Sequence, residues 1–273
     1  MKICIDPGHY GSYNPGAVKG YYEARAMWTI SQYQKEFLME YHNVQVVMTR
    51  TNSEKDLDLS SRGKKARGCD LFISNHSNAC DSEGVDYPVV IRAFDNRNNS
   101  EVLGMRLSKA IASLMDTKQP ARTWTRKHKG GEYYGVLRAA RAVGCPRYYI
   151  IEHSFHSNKK ACKWLMDKEN LKKLAKAEVE EIAKYYGLKR KDLPSHQAPQ
   201  PNEDATDDTN TFKPYVVKIA TDILNVRSGP GANYSKVSHV KEGDAYTITD
   251  EKNGWGHLKS GAGWISLDYV KRV

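Results

Sequence analysis

The sequence has no run of apolar residues near the roughly 18 that a bilayer-spanning helix needs, so a membrane-inserted protein is not expected. The opening, MKICIDPGH, carries one lysine and then only a strand-length apolar run, which does not make a secretory signal. The expectation is synthesis in the cytoplasm of the producing cell, with action elsewhere only after release. Cysteine is scarce. Cys4, Cys69, Cys80, Cys145 and Cys162 are odd in number and contain no C-x-x-C pair. That argues against a disulfide framework and against a cysteine-based zinc finger, and it fits a reducing compartment. Acidic side chains are the minority, 32 against 42 Lys and Arg, for a net charge of +10. Such a field favours a polyanionic partner. No nucleic-acid recognition motif accompanies it, so nucleic acid is not expected as the partner.

What is present suits a soluble protein with a sizeable core: 273 residues, 40% hydrophobic and 27% charged. The length favours one large and one small domain. The stretch KDLPSHQAPQPNEDATDDTNTFKP, residues 191–214, has four prolines, an acidic cluster and almost no large apolar side chain. It cannot bury enough surface to fold alone and reads as a linker. The expected division is 1–190, a linker at 191–212, and 213–273. Charge follows it: 33 basic and 21 acidic residues over 1–191, five acids and no base within 192–212, nine bases and six acids after. The basic excess concentrates in 101–150, where ten Lys and Arg face three acids.

Before the linker, short apolar runs alternate with helical patterns. KICI, NVQVVMT (43–49), DLFISNH (70–76), YPVVIRAF (87–94) and RYYIIEH (147–153) predict strands. Helices are expected over 23–41, 59–67, 98–115 and 168–186. Strand–helix alternation implies an α/β fold, a layered sheet with flanking helices. After the linker, five or six strands of about five residues separated by Gly-rich turns predict a small all-β barrel.

Three chemically capable residues end predicted strands: His9, His76 and Glu152. In layered α/β proteins the crevice lies beyond the carboxyl ends of the strands, so they can converge there with Glu23 at the start of the first helix. Two neutral imidazoles and a carboxylate make the ligand set of a catalytic zinc, and a second carboxylate nearby can take a proton from water. His153 and His156 compete for the ligand role, but period-two alternation turns His153 to the face opposite Glu152.

The segments ICIDPGHYG…NPGAVKGYYE, VVMTR, LSSRGKKA, DLFISNHSNA…GVDYPVV and YYIIEHSFHSN together resemble the zinc-dependent N-acetylmuramoyl-L-alanine amidases that cut bacterial peptidoglycan. The resemblance runs from about residue 2 to 186, with five motifs in order. It implies that His9, Glu23 and His76 bind one Zn2+, that Glu152 is the catalytic glutamate, and that the bond cut joins N-acetylmuramic acid to L-alanine. Two departures bear on local packing: Arg67-Gly68 after Ala66, where the family often has Asn, and Asn75 before His76, where it often has an apolar residue. Candidate substrate contacts are Arg122, Arg126, Arg138 and Asn78. Lys127, Lys129 and Arg141 add to a basic surface suited to the acidic stem peptide or anionic wall polymers. The segment LNVRSGPGANYSKVSHVKEGD…GWGHL…GAGWISLDYV resembles bacterial SH3-type modules, which usually bind cell wall, with Trp255 and Trp264 as stacking or core residues and Trp264 expected in the core. Together these features resemble a phage endolysin acting on a Gram-positive wall. A host autolysin, or a zinc peptidase acting within the stem peptide, is the alternative.

Overall fold

The structure, a computed structural model, describes residues 1–191, 212–231, 234, 236–252 and 254–273. The chain divides into two compact units, Met1–Ser195 and His196–Val273. Of the expected linker, residues 192–211 lie outside the described residues, as does Asn253 of one expected turn.

In the first unit the strands are β1 (Lys2–Pro7), β2 (Gln45–Met48), β3 (Leu71–Asn78), β4 (Val89–Ile91), β5 (Arg122–Trp124), the short pair β6 (Lys127–His128) and β7 (Gly131–Glu132), and β8 (Tyr148–Phe155). The helices are α1 (Glu23–Leu38), α2 (Leu59–Lys64), α3 (Ser100–Met115), α4 (Gly135–Ala142), α5 (Lys159–Met166) and α6 (Lys168–Tyr186). Six strands form one sheet in the order β2-β1-β3-β8-β4-β5. All neighbours run parallel except β4 against β8.

The sheet is apolar on both faces, and residue alternation assigns each side chain to one of them. Ile3, Ile5, Leu71, Ile73, Tyr149 and Ile151 pack with Met27 and Ile30 of α1, Leu103 of α3 and Leu174 of α6. Their alternates, Cys4, Phe72, Tyr148 and Ile150, pack on the other face with Ala66 and with Val136, Leu137 and Ala140 of α4. Strands buried on both faces read as continuous apolar runs, which is why they were visible in the sequence. Helices α2, α5 and α6 begin with side-chain caps: Asp58 accepts from Ser61 N, Asn158 from Ala161 N, and Asp167 from Glu169 N and Asn170 N. Helix α6 stops at Gly187 in the left-handed conformation, φ 64°.

Helices α4 and α5 and strands β5–β7 were not foreseen. Each is eight residues or shorter, too short to set up a periodic pattern. All five cysteines are free, and only Cys80 is exposed. No helix among the described residues is long and apolar enough to cross a membrane.

The second unit is all β: β9 (Tyr215–Ile219), β10 (Ile223–Arg227), β11 (Lys236–Lys241), β12 (Ala245–Lys252), β13 (Trp255–Leu258), β14 (Trp264–Ser266) and β15 (Val270–Arg272). They pair antiparallel in the order β11-β10-β14-β13-β12-β9-β15. The core is Val217, Ile219, Leu224, Val226, Val240, Ile248, Leu258 and Ile265. Trp264, expected in that core, is instead half-buried, as is Trp255. Aliphatic side chains fill this small interior, and the indoles lie at its margin.

Candidate active site

The first strand reaches the site through a turn held by buried charge. Asp6 is fully buried on the α2 face of β1. It accepts from Arg62 Nε and one terminal nitrogen, both at 2.8 Å, from Thr49 Oγ1 at 2.6 Å and from Ser74 Oγ at 2.7 Å. Arg62 and Arg50 also donate to the Pro7 carbonyl, at 3.2 and 3.1 Å. This network fixes the backbone one residue before Gly8. A Cβ at Gly8 would lie 2.4 Å from the Asn75 carbonyl and 2.5 Å from the His76 ring, so only glycine lets the turn pass β3 this closely. His9 follows with φ 52°, which swings its ring back over the strand ends.

Replacing Arg62 by Met should lower unfolding free energy by about 3–5 kcal/mol, because Asp6 would be left buried without its counter-charge. The double change Asp6→Asn with Arg62→Met should cost less than Arg62→Met alone, and denaturant titration of the variants measures both. Equal stability of Arg62→Met and the parent would remove the pair from the fold's support.

His76 and Glu152 are direct neighbours in the β3–β8 register. By alternation both belong to the face of Phe72 and Ile150. Glu23 is the first residue of α1, at the positive end of that helix, where a carboxylate is favoured. Its Oε1 lies 2.9 Å from His76 Nδ1 and accepts from Ser77 N at 3.0 Å. Its Oε2 accepts from Asn14 Nδ2 at 2.7 Å and lies 3.4 Å from His9 Nε2. One ligand atom from each of His9, Glu23 and His76 lies within 4.8 Å of the others. Burial would raise the Glu23 carboxyl, but the hydrogen bond and charge of His76, the His9 ring and Asn14 outweigh it and hold it at about 2. With one nitrogen of each ring unprotonated, the two imidazoles and the ionised carboxylate would offer three lone pairs to a single cation, a set that suits zinc.

Glu152 lines the same cleft, about 370 Å³, with His9, Asn14, Glu23, His76 and Asn78. Its Oε2 is buried and has no hydrogen-bond partner among the described residues. Burial pushes its pKa up to about 7; Glu23 adds to the rise, while His76 and His153 oppose it. A carboxyl group poised there can exchange a proton near neutral pH.

The remaining candidates separate. Asn78 lines the cleft, but Arg122, Arg126 and Arg138 are not among its lining residues. Arg138 donates to the carbonyls of Glu132 and Tyr133, at 2.9 and 3.2 Å, and so braces the β6–β7 hairpin. The Arg122 guanidinium lies 4.3 Å over the Tyr87 ring and that of Arg126 3.6 Å over Tyr133. A count of charges along the chain carries no direction, so the basic stretch did not show which arginines line the cleft.

His153 lies on the opposite face, as alternation required. It is fully buried, with Nε2 3.0 Å from Glu178 Oε1 of α6 and Nδ1 2.8 Å from the His76 carbonyl. Glu178 also accepts from Gln34, which exchanges hydrogen bonds with Asn75. The polar residue before His76 is thus part of a satisfied buried network behind the site. Sequence reasoning missed Asn14, Asp6, Arg62 and this network. Their partners lie up to 144 residues away, and no local pattern connects them.

The family described as N-acetylmuramoyl-L-alanine amidase matches residues 3–184, and the bacterial SH3 domain matches residues 222–271. The N-acetylmuramoyl-L-alanine amidase CwlM of Bacillus licheniformis is 36% identical over 96 residues, 33% of this chain and 38% of that protein. YrvJ of Bacillus subtilis (strain 168) is 47% identical over 50 residues, 17% of this chain and 10% of that one. The chain therefore spans well under half of either relative. Among solved structures, the catalytic domain of CwlV, an N-acetylmuramoyl-L-alanine amidase from Bacillus (Paenibacillus) polymyxa var. colistinus, superposes with a TM-score of 0.58 at 20% identity. It covers 69% of this chain and 99% of that domain, a likeness of fold.

Proposed function

The chain belongs to the N-acetylmuramoyl-L-alanine amidase family, and from that premise we propose that it hydrolyses the amide joining N-acetylmuramic acid to L-alanine in peptidoglycan. One observation carries the reading: the cluster of His9, Glu23 and His76 shares its cleft with Glu152, whose buried Oε2 has no hydrogen-bond partner among the described residues. His9, Glu23 and His76 would hold zinc, which when bound polarises a carbonyl and acidifies water.

Glu152 accepts the proton of the attacking water and returns it to the L-alanine nitrogen as the C–N bond breaks. The elevated pKa suits both halves of that task. Asn14 holds Glu23 Oε2 and faces His9 Nε2 at 3.0 Å, so one amide sets the distance between two of the ligands. Asn78 is an uncharged wall residue available to the glycan or the peptide. The β6–β7 hairpin, with Trp124 of β5 before it and Tyr133 after it, presents Lys127, Lys129 and two exposed rings as a basic, aromatic surface for anionic wall polymers.

The second unit we assign to wall binding. Trp255, Arg227, Ile223, Asp268 and Tyr269 line a cleft of about 370 Å³ in it. The Arg227 guanidinium lies 6.0 Å over the Trp255 ring, an apolar plate beside a cation. A catalytic unit paired with a wall-binding unit supports a lytic role of endolysin type on a Gram-positive wall, for an enzyme made in the cytoplasm and released to its substrate.

Digestion of purified walls tests the reading through its products. An amidase frees the amino group of L-alanine, and appearance of other amino termini instead would make the protein a peptidase of the stem. Residues 212–273 should sediment with walls without cutting them. Deleting them should slow lysis of intact cells more than cleavage of soluble muropeptides, because tethering raises local enzyme concentration. Equal lysis with and without them would end the targeting role.

A further inference from the structure

Three side chains at the back of the cleft form a hydrogen-bonded chain that ends in its wall. The phenol oxygen of Tyr21 lies 2.7 Å from Ser77 Oγ, and Ser77 Oγ lies 2.9 Å from His156 Nδ1. Tyr21 and Ser77 are 2% and 3% exposed, so their hydroxyls are largely shielded from solvent.

Counting protons sets the direction of the chain. Ser77 Oγ is the one hydrogen-bond partner of the Tyr21 hydroxyl among the described residues. Were Tyr21 to accept from Ser77, its own proton would point at nothing, and an unpaired buried donor is costly. Tyr21 therefore donates to Ser77. The Ser77 proton goes to the remaining partner of Oγ, His156 Nδ1. That nitrogen is then the unprotonated one, and the ring proton resides on Nε2.

His156 is fixed in this attitude. Its backbone N–H donates to the Asn78 carbonyl at 2.8 Å, and its backbone carbonyl accepts from Ala17 N at 2.9 Å. Its ring stacks on that of Tyr21, centroids 5.7 Å apart and planes 27° apart. It is 6% exposed and lines the cleft with Glu152 and His76. Burial lowers its pKa, outweighing Glu23 and the Ser77 carbonyl, which favours the neutral ring. Ser77 has a second task, since its backbone N–H holds Glu23 Oε1 at 3.0 Å. One residue thereby couples the candidate metal ligand to the orientation of the imidazole.

We propose that His156 is a further catalytic residue, donating a hydrogen bond from Nε2 to the carbonyl oxygen of the amide held in the cleft. The bond strengthens as negative charge gathers on that oxygen, and the proton stays on Nε2 throughout. A donor whose direction is fixed beforehand favours the transition state over the bound substrate. The role rests on the amidase reading, since it takes the amide as substrate.

The test uses the full-length, zinc-loaded protein on a soluble muropeptide, with His156→Phe, His156→Gln and Tyr21→Phe. His156→Phe should lower kcat by about 10²–10³-fold with KM changed less than about threefold and zinc content unchanged. His156→Gln, whose amide can still donate, should recover at least about tenfold of that loss. Independently of turnover, 15N NMR of the His156 ring in the zinc-loaded protein should report a protonated Nε2 and a bare Nδ1, a preference that fades in Tyr21→Phe. Should His156→Phe fail to fold by circular dichroism, His156→Gln and the NMR measurement carry the test. A ring protonated on Nδ1 overturns the proposal, as does a kcat within about threefold of the parent, an effect on KM alone, or loss of zinc. Parent protein that frees no L-alanine amino group would overturn the amidase reading and this role with it, while the NMR result would still fix the tautomer.

Discussion

Replacing Glu152 by Gln should abolish amide hydrolysis while leaving fold and zinc content near those of the parent. The amide keeps the size and shape of the carboxyl and cannot accept a proton. A general base of this kind is worth about 10²–10⁴-fold. Stability should hold or rise slightly, because Glu152 Oε2 makes no hydrogen bond among the described residues and its burial disfavours the charge. Turnover on soluble muropeptides, thermal unfolding and metal analysis of the same sample check all three expectations. A variant retaining more than about a tenth of the parent rate would take Glu152 out of the proton path. Loss of zinc would make it a ligand.

Removing metal should be as severe. A chelator should eliminate wall lysis and zinc should restore it, at about one ion per chain, since one cluster of three ligands is found among the described residues. The fold should survive removal, because the sheet, both core faces and the Asp6–Arg62 pair lie outside the ligand set. Changing Glu23 to Gln should weaken zinc more than changing His9 to Gln. Glu23 contacts both imidazoles and is almost fully buried, whereas the His9 side chain is 30% exposed. Full activity after verified metal removal would refute the assignment.

Much of this was legible in the sequence because of one property of the sheet. Strands buried on both faces must be apolar throughout, so a charged or imidazole side chain at their ends stands out. His76 and Glu152 were visible for that reason, and His9 and Glu23 because a Gly-rich loop separates them. The supporting residues were not visible. Asp6 reads as one residue of a turn, Arg62 as one of many cations, and Glu178 as an ordinary acid on an amphipathic helix. Only tertiary pairing distinguishes them, with Asp6 on Arg62 and Glu178 on His153. The arginines after residue 120 illustrate the converse. Their number suggested substrate contact, yet Arg138 is committed to two backbone carbonyls. Trp264 is another such case: size alone suggested a core residue, but the aliphatic interior left the indole at the margin.

The order of strands also governs when activity can arise during synthesis. β8 is the last strand of its sheet to leave the ribosome, yet it lies between β3 and β4. A nascent chain therefore exposes His9, Glu23 and His76 long before Glu152, and any product ending short of residue 152 lacks the proposed proton acceptor altogether. Premature termination then yields fragments that should not carry out the proposed hydrolysis. The same fragments leave one edge of β3 without its partner, a ready template for pairing with another chain. Aborted translation should give inert, aggregation-prone pieces rather than weak enzymes.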